Sequence, residues 1–172
     1  KRRVRVYALA PDFDETTRAG VSALGAEPVD FTLVRAGMNP LRDIADIAGL
    51  CRLLKSLKPD MTLAYFIKPV IYGSIAARLV RIPRRYSMIE GLGYVFMEST
   101  AVNSLRQRAL RRVVPLIYKL ALKSNEKVFF LNREDVAEFV AGNLVHRSQV
   151  VRIDGTGLDL GHYAPVAPIL RP

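Results

Sequence analysis

A carboxylate followed by two closely spaced glycines is the feature of this sequence best suited to chemistry on a ligand. Residues 84–89 predict a β-strand, and the run directly after it is Glu90, Gly91, Leu92, Gly93 and Tyr94. Glycines let a backbone approach a ligand at positive φ, and a carboxylate there can polarise a hydroxyl group or accept its proton. A tight strand-to-helix turn with Glu90 as a capping acid explains the same run. Spacing alone favours that alternative, because the third glycine of a dinucleotide fingerprint is missing.

Polar residues also follow three other predicted strands. Lys68 lies beside Pro69 at the start of a predicted helix, where a cation near the helix N-terminus can bind phosphate. Taken alone, a solvated surface lysine is the simpler interpretation. Asn132 precedes a helix predicted from residue 133 and is interpreted first as its N-cap. Residues 154–159 leave the last predicted strand through two glycines, which indicates a hinge or a turn.

The positive charge of the chain is concentrated in one segment. The chain has 26 Lys and Arg residues against 16 Asp and Glu, a net charge of +10, and residues 103–124 contain six basic residues and no acidic one. On a helical wheel, this segment has a cationic stripe beside an apolar arc. The stripe consists of Arg108, Arg111, Arg112, Lys119 and Lys123. The arc consists of Leu110, Val113, Leu116, Ile117 and Leu120. A solvated charged face is one interpretation. The absence of acidic residues favours a helix that binds an anionic membrane surface or another polyanion.

Composition excludes several classes of protein. A chain of 172 residues that is 50% hydrophobic and 24% charged predicts one folded domain rather than disorder. Cys51 is the single cysteine, so no internal disulfide can form, and His146 and His162 lack metal-ligand spacing. No segment approaches the ~18 apolar residues of a membrane span. The basic first residues lead into an apolar run too short for a signal peptide.

Strand and helix patterns alternate along the chain. Predicted strands cover residues 4–9, 27–34, 61–67, 84–89, 127–131 and 149–153; predicted helices cover 15–24, 41–57, 70–79, 103–123 and 133–141, with Pro115 kinking or dividing the fourth. This alternation predicts a parallel sheet with helices on both faces. Such sheets bind ligands at the carboxyl ends of their strands, which is where the loops described above lie.

Five runs in this order resemble a known family: NPLRD at 39–43, KPD at 58–60, IKPVIYGSIAAR at 67–78, IEGLGYVF at 89–96 and DGTGLD at 154–159. Together they resemble the N-terminal half of bacterial family-4 glycosyltransferases, most closely those that extend capsule, O-antigen or other lipid-linked oligosaccharides. The resemblance covers nearly the whole chain. The third and fourth runs are specific, whereas the last is common across the wider superfamily.

The resemblance implies an α/β fold, a Rossmann-like parallel sheet forming one half of a GT-B enzyme. It implies an acceptor-side domain over residues 1–160 and the start of an interdomain linker over 161–172, without the family's first strand and helix and without its C-terminal donor domain. The implied activity is retaining transfer of a hexosyl or N-acetylhexosaminyl group from a nucleotide-sugar to a polyprenyl-diphosphate-linked saccharide in envelope polysaccharide synthesis. This half alone is expected to be inactive. No metal or other cofactor is implied.

The resemblance also assigns expected roles to residues of this chain. Glu90 is the expected catalytic residue; the expected acceptor-binding residues are Lys68, Gly91, Gly93, Tyr94 and Asn132; the donor-side crossing is Gly155, Thr156 and Gly157; the membrane-facing residues are Arg108, Arg111, Arg112, Lys119 and Lys123. The implied partners are a lipid-linked saccharide, an anionic inner-membrane surface and the donor domain, without nucleic acid. The implied location is cytoplasmic, peripheral on the inner face of a bacterial plasma membrane.

Two other function classes stay open at this point. One is a basic, non-enzymatic module that binds RNA or another polyanion, although the aromatic residues are not interleaved with the basic segment. The other is half of a GT-B-fold sugar-nucleotide epimerase, which should have no affinity for membranes.

Overall fold

The computed structural model describes residues 4–33, 40–91, 105–157 and 161, except for the side chains of residues 40 and 105–112. Strands and helices alternate as predicted. In chain order they are β1 (Val6–Ala10), α1 (Glu15–Ala23), β2 (Ala26–Asp30), α2 (Pro40–Leu57), β3 (Met61–Tyr65), α3 (Ile67–Leu79), β4 (Arg84–Ile89), α4 (Leu105–Leu122), β5 (Lys127–Phe130), α5 (Arg133–Ala141) and β6 (Val150–Arg152), with a short 3-10 helix at Arg147–Gln149.

All strand pairs are parallel, as expected, but the strands form two sheets rather than one. β1 pairs with β2, and β3, β4, β5 and β6 form a second sheet in that order. Within the described residues, β1 and β3 therefore each keep one unpaired edge.

The main core lies on one face of the four-stranded sheet, under α3, α4 and α5. Val128 and Phe130 of β5 are fully buried, and Phe139 of α5 contacts Phe130 edge-on with ring centroids 5.3 Å apart. α3 lies very close to β3, because a Cβ added at Gly73 would stand 3.3 Å from the Cβ of Ala64. This close approach fixes where the first turn of α3 begins relative to the end of β3.

A second core cluster joins the two-stranded sheet to the rest of the molecule. Leu50 and Leu54 of α2 pack with Ala76 and Ala77 of α3, and Leu9 of β1 lies against them. The two sheets are thus connected through α2 and α3 rather than through backbone pairing.

The opposite face of β3 is open. Met61, Leu63 and Tyr65 are exposed, while the alternating residues Thr62 and Ala64 point toward α3 and are partly buried. Because side chains alternate between the two faces of a strand, the first three lie on one common face, which carries apolar surface toward the carboxyl end of β3.

A buried hydrogen-bond network connects the helices to the sheet. The Nδ2 of Asn125 donates to the hydroxyls of Ser74 on α3 (3.1 Å) and Ser87 on β4 (2.6 Å). The Nε2 of Gln149 donates to the carbonyl oxygen of Asn125 at 2.6 Å. The turn between α4 and β5 is therefore held against α3, β4 and the segment that leads into β6.

Predicted boundaries of β2, β3 and α3 were wrong. β2 ends at Asp30, whereas the predicted strand continued to residue 34, because its partner β1 ends at Ala10, just before Pro11. β3 ends at Tyr65 and α3 begins at Ile67, three residues before its predicted start, because Pro69 falls in the first helical turn, where no backbone N–H is needed. α4 continues through Pro115 as a single helix, so the predicted division at this proline was wrong, and the alternative of a kink stays a prediction. Its neighbours Val114 and Tyr118 are buried in the core, and this packing stabilises the helix despite the backbone hydrogen bond lost at the proline.

Candidate functional site

The candidate site is a cavity at the carboxyl ends of β3 and β4. It has a volume of about 220 Å³ and takes its walls from three places: Phe66 and Ile67 where β3 meets α3, residues 88–91 at the end of β4, and Tyr118 of α4. Parallel α/β sheets bind their ligands at this edge. The structure thus brings the predicted Glu90 and Gly91 together with residues of the β3–α3 connection.

Glu90 is free to act on a ligand. Its side chain is exposed at the cavity, and across the described ranges no hydrogen bond or ion pair engages its carboxylate. Gly91 follows with φ of 154°, a backbone conformation that side-chain-bearing residues rarely adopt. The predicted acceptor residues Gly93 and Tyr94 lie outside the described residues.

Phe66 has a strained backbone conformation at the cavity wall. It is the single residue between β3 and α3, with φ of 66° and ψ of 155°. This region is essentially confined to glycine, and a residue held there costs on the order of 1–3 kcal/mol. Sequence reasoning missed Phe66 because residues 61–67 read as one apolar strand. The positive φ follows from a one-residue connection that the pattern did not reveal.

Lys68 lies beside Asp43 of α2 and Tyr72 of α3. Its Nζ lies 3.7 Å from Oδ1 of Asp43 and 5.7 Å from the centre of the Tyr72 ring. Burial raises the pKa of Tyr72, and the hydrogen bond to Asp43 and the charges of Asp43 and Asp46 raise it further. Lys68 thus belongs to a polar cluster between α2 and α3 that no sequence signal had linked to it.

Asn132 is confirmed as a helix cap. Its Oδ1 accepts a hydrogen bond from the backbone N–H of Asp135 at 2.7 Å, and its Nδ2 donates to the Asp135 carboxylate at 2.9 Å. Both of its polar groups are therefore engaged within α5. Its predicted contact with an acceptor stays a prediction.

The predicted donor-side residues follow β6. Gly155, Thr156 and Gly157 are exposed, and the two glycines have φ of 127° and 87°. These angles require glycine for conformational reasons, which fits the hinge or turn inferred from the sequence. Their role in a domain crossing stays a prediction.

α4 has both a buried face and an exposed apolar face. The buried face consists of Val114, Tyr118, Ala121 and Leu122. The apolar arc predicted from the helical wheel lies mainly at the surface, where Leu116 is 66% exposed and Leu120 56% exposed, with Val113 beside them. Lys119 and Lys123 are exposed next to this arc. Arg108, Arg111 and Arg112 are in the described backbone, but their side chains lie outside the described part.

None of the helices in the described part of the chain is long and apolar enough to cross a membrane. Among the same residues, no group of three His, Cys, Asp or Glu side chains could hold a metal ion.

Comparison with known proteins places these features in a family. The glycosyl transferase 4-like family matches residues 20–132. The chain is 27% identical over 165 residues to the N,N'-diacetylbacillosaminyl-diphospho-undecaprenol alpha-1,3-N-acetylgalactosaminyltransferase of Campylobacter jejuni. The alignment covers 96% of this chain and 42% of that enzyme. The chain thus spans less than half the length of this relative.

A solved structure supports the same fold. Acinetobacter baumannii MurG matches with a TM-score of 0.51 and 16% identity, over 92% of this chain and 38% of MurG. At this identity the likeness concerns the fold alone, and it confirms the predicted α/β architecture of a GT-B half. The family match runs from α1 to the N-cap of α5 and includes the cavity at β3 and β4. The chain therefore belongs to the glycosyl transferase 4-like family.

Proposed function

We propose that this chain is the acceptor-side domain of a retaining glycosyltransferase that extends a polyprenyl-diphosphate-linked saccharide in envelope polysaccharide synthesis. The observation that carries the proposal is the exposed carboxylate of Glu90, which lines a cavity at the carboxyl edge of a parallel sheet. The Campylobacter jejuni relative, whose name describes transfer to a sugar on diphospho-undecaprenol, supports this acceptor class. A nucleotide-sugar is the donor, bound by a second domain.

Glu90 is assigned to the acceptor hydroxyl. In the transfer step, the donor's anomeric C–O bond breaks, a nucleoside diphosphate leaves, and the acceptor oxygen forms the new glycosidic bond on the same face. The acceptor proton passes to a phosphate oxygen of the departing donor. Glu90 accepts a hydrogen bond from the hydroxyl beforehand and so orients its lone pair toward the reacting carbon. No metal or other cofactor takes part in this scheme.

The first prediction concerns Glu90 in the transferase that contains this chain. Glu90→Gln keeps the shape of the side chain, but its neutral amide oxygen is a weaker hydrogen-bond acceptor than the carboxylate, so it is expected to lower kcat by about tenfold or more. The acceptor KM should change much less, because the loss falls on the reacting geometry. Steady-state transfer kinetics measure both values.

The matched control is Glu138→Gln, which makes the same charge change at an exposed position of α5, away from the cavity. It should leave kcat unchanged. A Glu90→Gln enzyme with full kcat would contradict the assigned role.

Lys68 is proposed to contact the acceptor diphosphate. Its 3.7 Å separation from Asp43 is longer than the roughly 2.7–2.9 Å of a strong charge-assisted hydrogen bond. Its side chain retains 15% exposure. An incoming phosphate can therefore replace Asp43 as the partner of this ammonium group.

The second prediction tests this exchange on the chain itself, with geranyl diphosphate as a short-chain probe. Lys68→Met is expected to weaken binding by about tenfold or more, the loss of one hydrogen bond to a charged group. Asp43→Asn should leave binding equal or tighter, because it removes a carboxylate that competes with the diphosphate for Lys68. Isothermal titration calorimetry measures the dissociation constants.

A double variant guards against a folding artefact. Lys68→Met alone removes the ammonium group beside the Asp43 carboxylate and leaves its negative charge in place, whereas Lys68→Met combined with Asp43→Asn removes both charges. The double variant should bind as weakly as Lys68→Met. Recovery of wild-type affinity in it would show that Lys68 acts on Asp43 and not on the diphosphate.

The exposed face of α4 is proposed to dock on an anionic membrane, which places the enzyme peripherally on the cytoplasmic face of the inner membrane. Leu116 and Leu120 can enter the interface, while Lys119 and Lys123 interact with acidic headgroups. Tyr118 of the same helix lines the cavity. Docking by this face would therefore hold the cavity near a lipid-borne acceptor.

The third prediction is a vesicle co-sedimentation test of this face. Leu116→Ser with Leu120→Ser should lower binding to anionic vesicles at least about tenfold, since it removes the inserting apolar surface. Lys119→Glu with Lys123→Glu should lower it by at least a similar factor, because each nearby basic residue contributes about 1 kcal/mol. Neither pair should lower the melting temperature substantially, because all four side chains are exposed.

Leu24→Ser is the matched control, since Leu24 is exposed but lies after α1. It should bind vesicles like the wild type. A wild-type chain that binds neutral vesicles as well as anionic ones, or that binds neither, would contradict the docking face. A wild-type chain that binds single-stranded RNA tightly instead would favour the polyanion-binding module.

A further inference from the structure

Two adjacent exposed aromatic side chains, Tyr65 and Phe66, contact each other where β3 meets α3, and the second of them lines the cavity. Tyr65, the last residue of β3, is 47% exposed, and Phe66 is 63% exposed. Their ring centroids are 5.1 Å apart, with the planes tilted by 53°. Large aromatic rings bury considerable apolar area when they meet a ligand, so this pair offers a substantial contact surface.

Among the described residues, the side chain of Phe66 is exposed rather than packed in the core. The residue makes no side-chain cap for α3, and its φ of 66° suits glycine far better. Strain of this kind persists at sites where it serves a function. The conformation directs the exposed Phe66 to the wall that it shares with Ile67 and Glu90.

The chemistry of this corner is mixed in a specific way. The aromatic ring of Phe66 lies on one side of the 220 Å³ cavity, and the exposed carboxylate of Glu90 lies on another side. A sugar ring has an apolar C–H face and a polar rim of hydroxyls, and therefore matches both. A hydrocarbon chain matches only the rings, and it would take water from the carboxylate without replacing its hydrogen bonds.

We infer that Tyr65 and Phe66 form an aromatic platform that stacks on the C–H face of the acceptor sugar while Glu90 holds a hydroxyl on its rim. This inference rests on the proposed function and deepens it. The platform contributes to acceptor affinity and selects sugars with an unobstructed C–H face.

The fourth prediction compares two ligands on the chain by isothermal titration calorimetry. One is N-acetylglucosamine joined to geranyl diphosphate, and the other is geranyl diphosphate alone. Tyr65→Ala and Phe66→Gly are each expected to weaken binding of the sugar-bearing ligand by roughly three- to tenfold. Neither should change the affinity for geranyl diphosphate. The melting temperature of Phe66→Gly should equal or exceed that of the wild type, because glycine relieves the positive φ.

Leu63→Ala is the matched control, because Leu63 is an exposed apolar residue on the same face of β3, two residues before Tyr65. It should bind both ligands like the wild type. If Phe66→Gly unfolds, its fall in melting temperature would contradict the strain argument, and Tyr65→Ala would still test the platform.

The outcomes separate the platform from the proposed function. Unchanged affinity of both variants for the sugar-bearing ligand would overturn the platform and leave the proposed function standing. An equal loss for the two ligands would mean that the rings bind the lipid, which also overturns the platform. A wild-type chain that binds neither ligand would overturn the proposed function, and the platform with it.

Discussion

The geometry of the site depends on a connection of one residue. Phe66 is the single residue between β3 and α3, and it has a positive φ. α3 lies close to β3 through Gly73 and Ala64. Phe66 and Ile67 of this connection form one wall of the cavity, and Lys68 in the first turn of α3 lies beside Asp43 of α2. A looser connection would move all of these groups relative to Glu90.

α4 relates this site to the surface of the molecule. Its buried face contributes Tyr118 to the cavity and to the aromatic core, where Tyr118 contacts Phe139 with ring centroids 5.6 Å apart. Its opposite side exposes Leu116 and Lys119. The helix is rigidly packed on one side, so a surface bound by the exposed side has a fixed position relative to the cavity. Under the proposed function, acceptor binding and membrane docking would therefore both depend on this helix.

Periodicity and turn residues were enough to predict much of this architecture. The strand at 84–89, the helix at 133–141 with its Asn132 cap, and the placement of Glu90 at a carboxyl edge all follow from local signals. Contacts between distant segments could not be predicted in this way. The approach of Lys68 to Asp43 depends on how α2 packs on α3. α4 has two apolar arcs, and the packing of the helix on the rest of the molecule determines which of them is buried. The strain at Phe66 was hidden because Tyr65, Phe66 and Ile67 continue an apolar run.

The central claim is that the cavity between the ends of β3 and β4 holds the acceptor sugar. Photoaffinity labelling tests it most directly, with a diazirine on the sugar of geranyl-diphosphate-linked N-acetylglucosamine and mass spectrometry of the labelled peptides. The account predicts labels within residues 65–67 and 88–91, which the unmodified ligand should suppress by competition. Labelling concentrated instead at the basic surface around Arg133 and Arg147, where α5 meets the segment before β6, would contradict it.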